Sequence, residues 1–508
     1  MRRVLPVLMV GWAAAAIAFP LAQASPEALA RRQLESGRVF LRQGNHTEAL
    51  RDFRTVAETY SATSVADDAL LEIARYYFDV AGDVAETQTA VETILKQYPT
   101  SNSAPDALVM AGRLALAGGR EAGDLDGALA NFNRVIRLFP DSEAVPSALL
   151  YAGEAHWYSG HLEDALVSLS RVAGEYPSSP AAADASLGSA RALLSLGDPM
   201  RSLEELQQVR NRWPDSPAAA MALARLTLLH RLYVRSKSAP AYTVTTETVG
   251  PAKLQDVNGL VATRSGALYF STESGAGIVQ PADAPAPPAV TRPRGLALDA
   301  SGRLVVIEIG GIKPVTGTSV PMIMPKPDGS IAPMTKIVSA VQLSNSDWIA
   351  MDEDQRSVQR FSEAGKHINP FAPLRVTRMA VNARDQIAAI DRDQRGIVIV
   401  DGSGKTLSRI PLKGAGYDVP NPEDVAFDRL GHLYVLDRIA VAVFTPYPAA
   451  PVPPGAAAGG APGTYRLQAF YPAAQSGGAF RRGRVFTVDD AGTIYLYDDR
   501  AQRVLVLK

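Results

Sequence analysis

The sequence contains no cysteine. That absence excludes disulfides, thiolate nucleophiles, cysteine-ligated zinc and iron–sulfur clusters together. It also leaves no residue to carry the acyl group of a bacterial lipoprotein. An excess of either charge is lacking too: 51 Lys and Arg stand against 52 Asp and Glu, a formal net charge of -1. No overall basic field therefore draws the chain onto nucleic acid. Histidine is scarce, and His46, His156, His161, His230, His367 and His432 form neither a His-x-x-x-His nor a His-Glu-x-x-His ligand pair. There is no Gly-x-Ser-x-Gly elbow, phosphate-binding glycine loop or EF-hand loop. These absences assign no residue a catalytic, cofactor-binding or metal-binding role, and the expectation is of a protein that is not an enzyme.

Long apolar runs are also few. Met1-Arg2-Arg3 followed by the apolar stretch Val4 to Phe19 and Ala22-Gln23-Ala24 has the pattern of a signal peptide over residues 1–24. A mature chain beginning near Ser25 and exported to the periplasm or the extracellular space is expected. No later stretch is apolar for long enough to cross a bilayer. At 508 residues the chain is too long for one hydrophobic core, so two or more domains are expected.

What is present first is a period. Tyr98-Pro99, Phe139-Pro140, Tyr176-Pro177 and Trp213-Pro214 close successive units, with Tyr60-Ser61 in the same place earlier. Ahead of each aromatic stands a glycine: Gly44, Gly82, Gly123, Gly160 or Gly197. Small residues follow at Ala49, Thr87, Ala128, Ala165 and Ser202, and large apolar ones at Phe53, Val91, Phe132, Leu169 and Leu206. The glycine ends the first helix of a pair, where a left-handed residue costs least without a Cβ. The small residue permits close helix approach, the large one fills the gap, and the proline stops the second helix. A small insertion is expected near Gly118 to Ala122.

These features resemble the tetratricopeptide repeat (TPR) family, in the form found among envelope members. Gly37, Gly112 and Gly153 fit its first-helix glycine, and Pro99, Pro140, Pro177 and Pro214 its terminal proline. The helical domain is expected over 26–235, with Ala218 to Arg235 as a capping helix. The resemblance implies a groove, lined by first helices, that takes a protein partner. By register Arg38, Arg42, Tyr76, Glu154, Trp157, Tyr158 and Arg191 are the protein-binding candidates. Tyr76, Trp157 and Tyr158 also suit packing between repeats.

After a short linker at 236–241 the pattern becomes a two-residue alternation with Gly and Asp turns. A unit of short strand, turn and second strand ending near an acid recurs six times. Its turns centre on Gly266, Gly302, Asp347, Asp385, Gly431 and Gly492, and its end residues are Thr272, Glu308, Glu353, Asp391, Asp437 and Asp498. The acids are expected to accept backbone N–H groups of the following turn. The units resemble blades of the NHL-type six-bladed β-propeller over 242–508, which gives a fold of an α-solenoid followed by an all-β propeller. Tyr242 to Thr248 is expected to pair with Arg503 to Leu507 and close the ring. Tyr447 to Thr464, rich in Pro, Ala and Gly, is expected as a flexible insertion and Ile309 to Ser330 as irregular chain.

Two non-catalytic repeat folds in one exported chain point to a protein-interaction scaffold of the bacterial cell envelope. The TPR groove would hold one partner, and the propeller a second partner or the geometry. The alternatives are a lactonase- or lyase-like propeller enzyme, with or without a divalent metal, and a carbohydrate or cell-wall binder.

Overall fold

The computed structural model describes residues 25–118, 122–237, 239–247, 249–326, 329–354, 357–446, 465–473 and 480–508. The expected signal peptide, the 447–464 insertion and residues 119–121 lie outside them. The chain divides into two compact units, Met1–Ala107 and Leu108–Lys508.

The first unit holds α1 (Pro26–Arg42), α2 (His46–Thr59), α3 (Ala66–Tyr76) and α4 (Val84–Gln97), with α5 (Ala104–Gly118) beginning at its end. Ser25 caps α1 by accepting a hydrogen bond from the Ala28 N–H at 3.2 Å. Gly44 and Gly82 adopt φ of 76° and 67° between paired helices. Gly37 has the other glycine role: a Cβ there would lie 2.5 Å from the Phe53 ring, so only glycine lets that ring lie on α1. The aromatic of the Tyr-Pro pair ties one turn to the preceding one, because the Tyr98 hydroxyl donates to the Ser61 carbonyl at 2.7 Å.

The second unit continues with α6 (Ala122–Leu138), α7 (Val145–Ser159), α8 (Leu162–Glu175), α9 (Ala182–Ser195), α10 (Pro199–Arg212) and α11 (Pro217–Leu229). A π-helical turn, His230–Val234, extends α11. The same devices recur: Gly160 and Gly197 are left-handed, and Gly112 and Gly153 receive Phe132 and Leu169. Gly123 departs from the expected register, since it lies in the first turn of α6 and not at the end of α5. Helix α6 starts one residue before this glycine, whereas α8 starts two residues after Gly160.

Six antiparallel sheets follow, each led by an inner strand: Gly259–Ala262, Gly295–Leu298, Ile337–Gln342, Val376–Val381, Pro422–Phe427 and Gly483–Val488. The inner strands adjoin in a closed ring, the sixth beside the first. Val244 and Val249 bridge Leu507 and Val504, and Thr243 exchanges backbone hydrogen bonds with Lys508, so chain from before the first blade closes the last. Closure hides edges that a short sheet leaves open.

Two details differ from the sequence expectation. In the third blade the left-handed turn residue is Ser346 (φ 68°), not Asp347. The acid in register is accordingly Asp352, whereas Glu353 pairs with Lys336 at the surface. The stretch expected to be irregular, 309–330, contains the outer strands Gly311–Pro314 and Val320–Pro321, then Ile323–Pro325 paired with Ile331–Pro333. Pro314, Pro321 and Pro325 stand at the ends of these strands, where no ladder N–H is demanded.

One apolar core joins helices to propeller within the second unit. Leu187, Leu194, Leu206, Leu228, Leu229 and Leu232 are buried together with Tyr242, Leu430, Tyr434, Leu496 and Leu507. Arg231, itself buried, donates to the carbonyls of Ala491 at 3.1 Å and Gly492 at 2.5 Å. Beside it the Tyr233 hydroxyl meets His432 Nε2 and Thr445 Oγ1, both at 2.9 Å, while His432 Nδ1 lies 2.7 Å from Asp428.

Candidate interaction surface

The repeat places equivalent first-helix positions of neighbouring units side by side. In the first unit Arg38 on α1 bonds Glu72 on α3 at 3.0 Å, and Arg75 on α3 bonds Asp106 on α5 at 3.2 Å. Arg42 pairs with Glu35 of its own helix at 3.2 Å. The Tyr76 ring lies 5.2 Å from the His46 ring and 5.4 Å, edge-on, from Tyr77.

Glu154, Trp157, Tyr158 and Arg191 come together in the second unit. Glu154 on α7 accepts from Arg191 on α9 at 2.5 Å. Trp157 is 5% exposed and donates its indole N–H to Ser195 Oγ at 3.0 Å. Tyr158 packs edge-on against it at 5.2 Å. The Arg191 guanidinium lies 3.9 Å from the indole centroid, and a second guanidinium, that of Arg384, lies 4.3 Å from it. Arg384 belongs to the propeller, so this part of the first-helix face is met by chain from the fourth blade.

Beside this cluster α7, α9 and α11 line an open pocket of about 250 Å³ whose residues include Tyr151, Glu154, Asp184, Leu187, Arg191 and Arg225. Burial and the nearby Glu154 push the Asp184 carboxyl up. Burial, reinforced by Arg191, pushes the Arg225 guanidinium down to about 10.

Sequence reasoning missed Arg384, Arg225 and Asp184, although Arg384 had a signal. The residue before the left-handed turn position is Ser265, Ser301 and Asn345 in the first three blades, then Arg384, Leu430 and Ala491. The last three turns exchange small polar tips for residues that engage the helices: Arg384 on Trp157, Leu430 in the shared core, and Ala491 under Arg231.

The propeller axis holds a second cavity, of about 230 Å³, walled by all six inner strands. Its polar lining includes Asn258, Arg294, Arg378 and Asp424. Arg378 spans it, donating to the carbonyls of Val338 at 3.3 Å and Asn258 at 3.2 Å, with Asp424 at 3.8 Å from its Nε. Burial pushes the Asp424 carboxyl up to about 6, against the pull of Arg378 and the Phe486 and Val425 N–H groups. The blade-end acids do different work. Asp352, Asp391, Asp437 and Asp498 each accept the backbone N–H two residues on, and all but Asp391 also hold the chain entering the inner strand. Among the described residues no group of three or more His, Asp or Glu is placed to hold a metal ion.

The family model described as "YfiO: Outer membrane lipoprotein" matches residues 27–149, and two tetratricopeptide repeat models match 120–180 and 156–226. No curated protein sequence matches the chain. Among solved structures, a streptogramin B lyase is 11% identical, covering 53% of this chain and 97% of its own, with a TM-score of 0.33. A TPR protein of Thermus thermophilus is 20% identical over 39% of this chain and 100% of its own, with a TM-score of 0.31. YrrB, described as a TPR protein with an unusual peptide-binding site, is 19% identical over 38% and 91%, with a TM-score of 0.29. The N-terminal region is thus a tetratricopeptide-type helical array, and the C-terminal region is a six-bladed β-propeller. No described helix is long and apolar enough to cross a membrane.

Proposed function

We propose that this chain is a non-catalytic interaction scaffold of the bacterial cell envelope, acting in the periplasm or outside the cell. Its first-helix face holds a protein partner, and its propeller holds a second partner or fixes the geometry. The observation that carries the proposal is the single apolar core running from α9–α11 into the fifth and sixth blades. Helices α9–α11 and the propeller share this core within the second unit, which suits joint presentation of a helical surface and a propeller surface. The match to an outer membrane lipoprotein family over 27–149 supports the envelope. Arg38, Arg42, Tyr76, Glu154, Tyr158 and Arg191 are the proposed contact residues, with Trp157 acting from beneath as the buried support of Arg191.

Cross-linking in intact cells followed by mass spectrometry tests this, comparing wild type with Arg42→Glu/Tyr76→Ala. A recurring envelope protein joined to the helical region, and lost in the variant, is the expected result. Absence of any recurring partner in wild type would sink the proposal.

A second function is favoured by one observation: Asp424, its carboxyl pushed up to about 6 in a cavity beside Arg378, suits proton transfer to a small substrate. Turnover of a lactone or ester panel by wild type but not by Asp424→Asn would decide for it.

A further inference from the structure

The junction of α7, α9 and the fourth-blade turn carries more positive charge than its neighbours neutralise. Arg191 and Arg384 both stack on Trp157, no farther apart than the sum of their two distances to its centroid. Arg191 has Glu154 as counter-ion. Among the described residues no carboxylate pairs with Arg384. Its Nε and Nη2 are buried without a hydrogen-bond partner, as is the Nε of Arg191. An isolated buried guanidinium with unmade hydrogen bonds is costly, and the usual resolution is an anion. The fixed fork of the guanidinium, with donors on one edge, matches an oxyanion bidentately. Stacking on the indole fixes the plane of that fork.

The surroundings favour the same ligand. Arg191 adds to burial in pushing the Arg384 guanidinium down, and it does the same to Arg225 on the adjoining helix. The Tyr465 hydroxyl, near enough to interact electrostatically with Arg384, is likewise buried without a partner, and burial keeps it protonated and able to donate. Arg384 Nε and Nη2, Arg191 Nε and the Tyr465 hydroxyl are left without a hydrogen-bond partner, although the Tyr158 phenol also stands close to both guanidinium groups.

We infer that Arg384, with Arg191 and Tyr465, forms a composite oxyanion site at the junction of helical array and propeller, taking a carboxylate or phosphate group. The site goes beyond the scaffold proposal, because it stands whether or not a protein occupies the groove. The carboxylate or phosphate has two sources: a free small anion, or an acidic side chain of a bound polypeptide.

The test uses the full mature chain and needs no partner. Inorganic phosphate and tetraglutamate are titrated at constant ionic strength set with sodium chloride, following thermal unfolding and tryptophan emission. Saturating ligand is expected to raise Tm by about 3 °C, as binding to the native state alone requires at about 100 times Kd. Arg384→Met is expected to abolish the shift, and Arg384→Lys to weaken binding about tenfold by losing the fork. Phosphate binding identifies a free anion as sufficient, and tetraglutamate binding alone identifies the acidic side chain. No response to either ligand overturns the site, and so does an equal response in wild type and Arg384→Lys. The lysine variant keeps the positive charge, so the result survives if Arg384→Met fails to fold.

Discussion

Asp424 shows how little of a residue's chemistry its place in a motif conveys. In sequence it opens the strand Asp424-Val-Ala-Phe-Asp428 and looks like any blade residue. In the fold it lines the axial cavity, 14% exposed, and burial pushes it up to about 6 from an ordinary 3.8. Between about pH 4 and 6 the folded protein therefore holds this proton more tightly than the unfolded chain does, so the contribution of Asp424 to stability falls as pH rises across that window. Asp424→Asn is neutral throughout and keeps an oxygen for the Phe486 N–H. Its stability relative to wild type is expected to improve by about 2 kcal/mol from pH 4 to pH 8, measured by urea unfolding at each pH. A difference that stays constant, or moves the other way, would mean that Arg378 outweighs burial.

At the scale of elements the sequence was most legible where one residue type has one mechanical reason. The left-handed glycines of the helix hairpins and the small first-helix positions could be read directly, because glycine meets either demand at the least cost. Gly112 and Phe132 show the second. Phe132 is fully buried, stacks on Tyr151 with centroids 6.0 Å apart, and occupies the volume that a Cβ on Gly112 would need. Phe132→Ala is expected to cost about 3–5 kcal/mol, and Gly112→Ala to be destabilising alone by forcing the ring aside. Combined, the two should cost less than their sum, because the new methyl enters space the ring has left. Strict additivity in denaturant unfolding would place the two residues out of contact and refute the helix register. The blade turns were less legible. Asn and Asp tolerate the left-handed region almost as glycine does, and at Ser346 nothing in the side chain marks the turn.

At the scale of the whole molecule, the helical array and the propeller could be read separately, and of their joint only the closing strand Tyr242 to Thr248 could. Periodicity reports which face of an element is buried, never what buries it. Leu228 and Leu232 lie within the expected capping helix and Leu430 beside a blade turn; only the fold brings them into one core. Arg231 marks the same boundary. It is 7% exposed, its guanidinium donates to two carbonyls of the sixth-blade turn, and it lies 5.1 Å from the Tyr242 ring centroid. Arg231→Met preserves much of the apolar stem but leaves those carbonyls without this donor in a largely dry interface, a loss of about 2–4 kcal/mol. Because the turn at 489–493 and the end of α11 rest on each other, the loss should appear at both. Hydrogen exchange is expected to quicken at 226–234 and 489–493 together, while the second to fourth blades keep their protection. The thermal transition should broaden or split as the array and propeller cease to unfold as one. If exchange rose only in the helix, and the transition stayed single at an unchanged Tm, the contact would be incidental and the two folds would be joined by the apolar core alone.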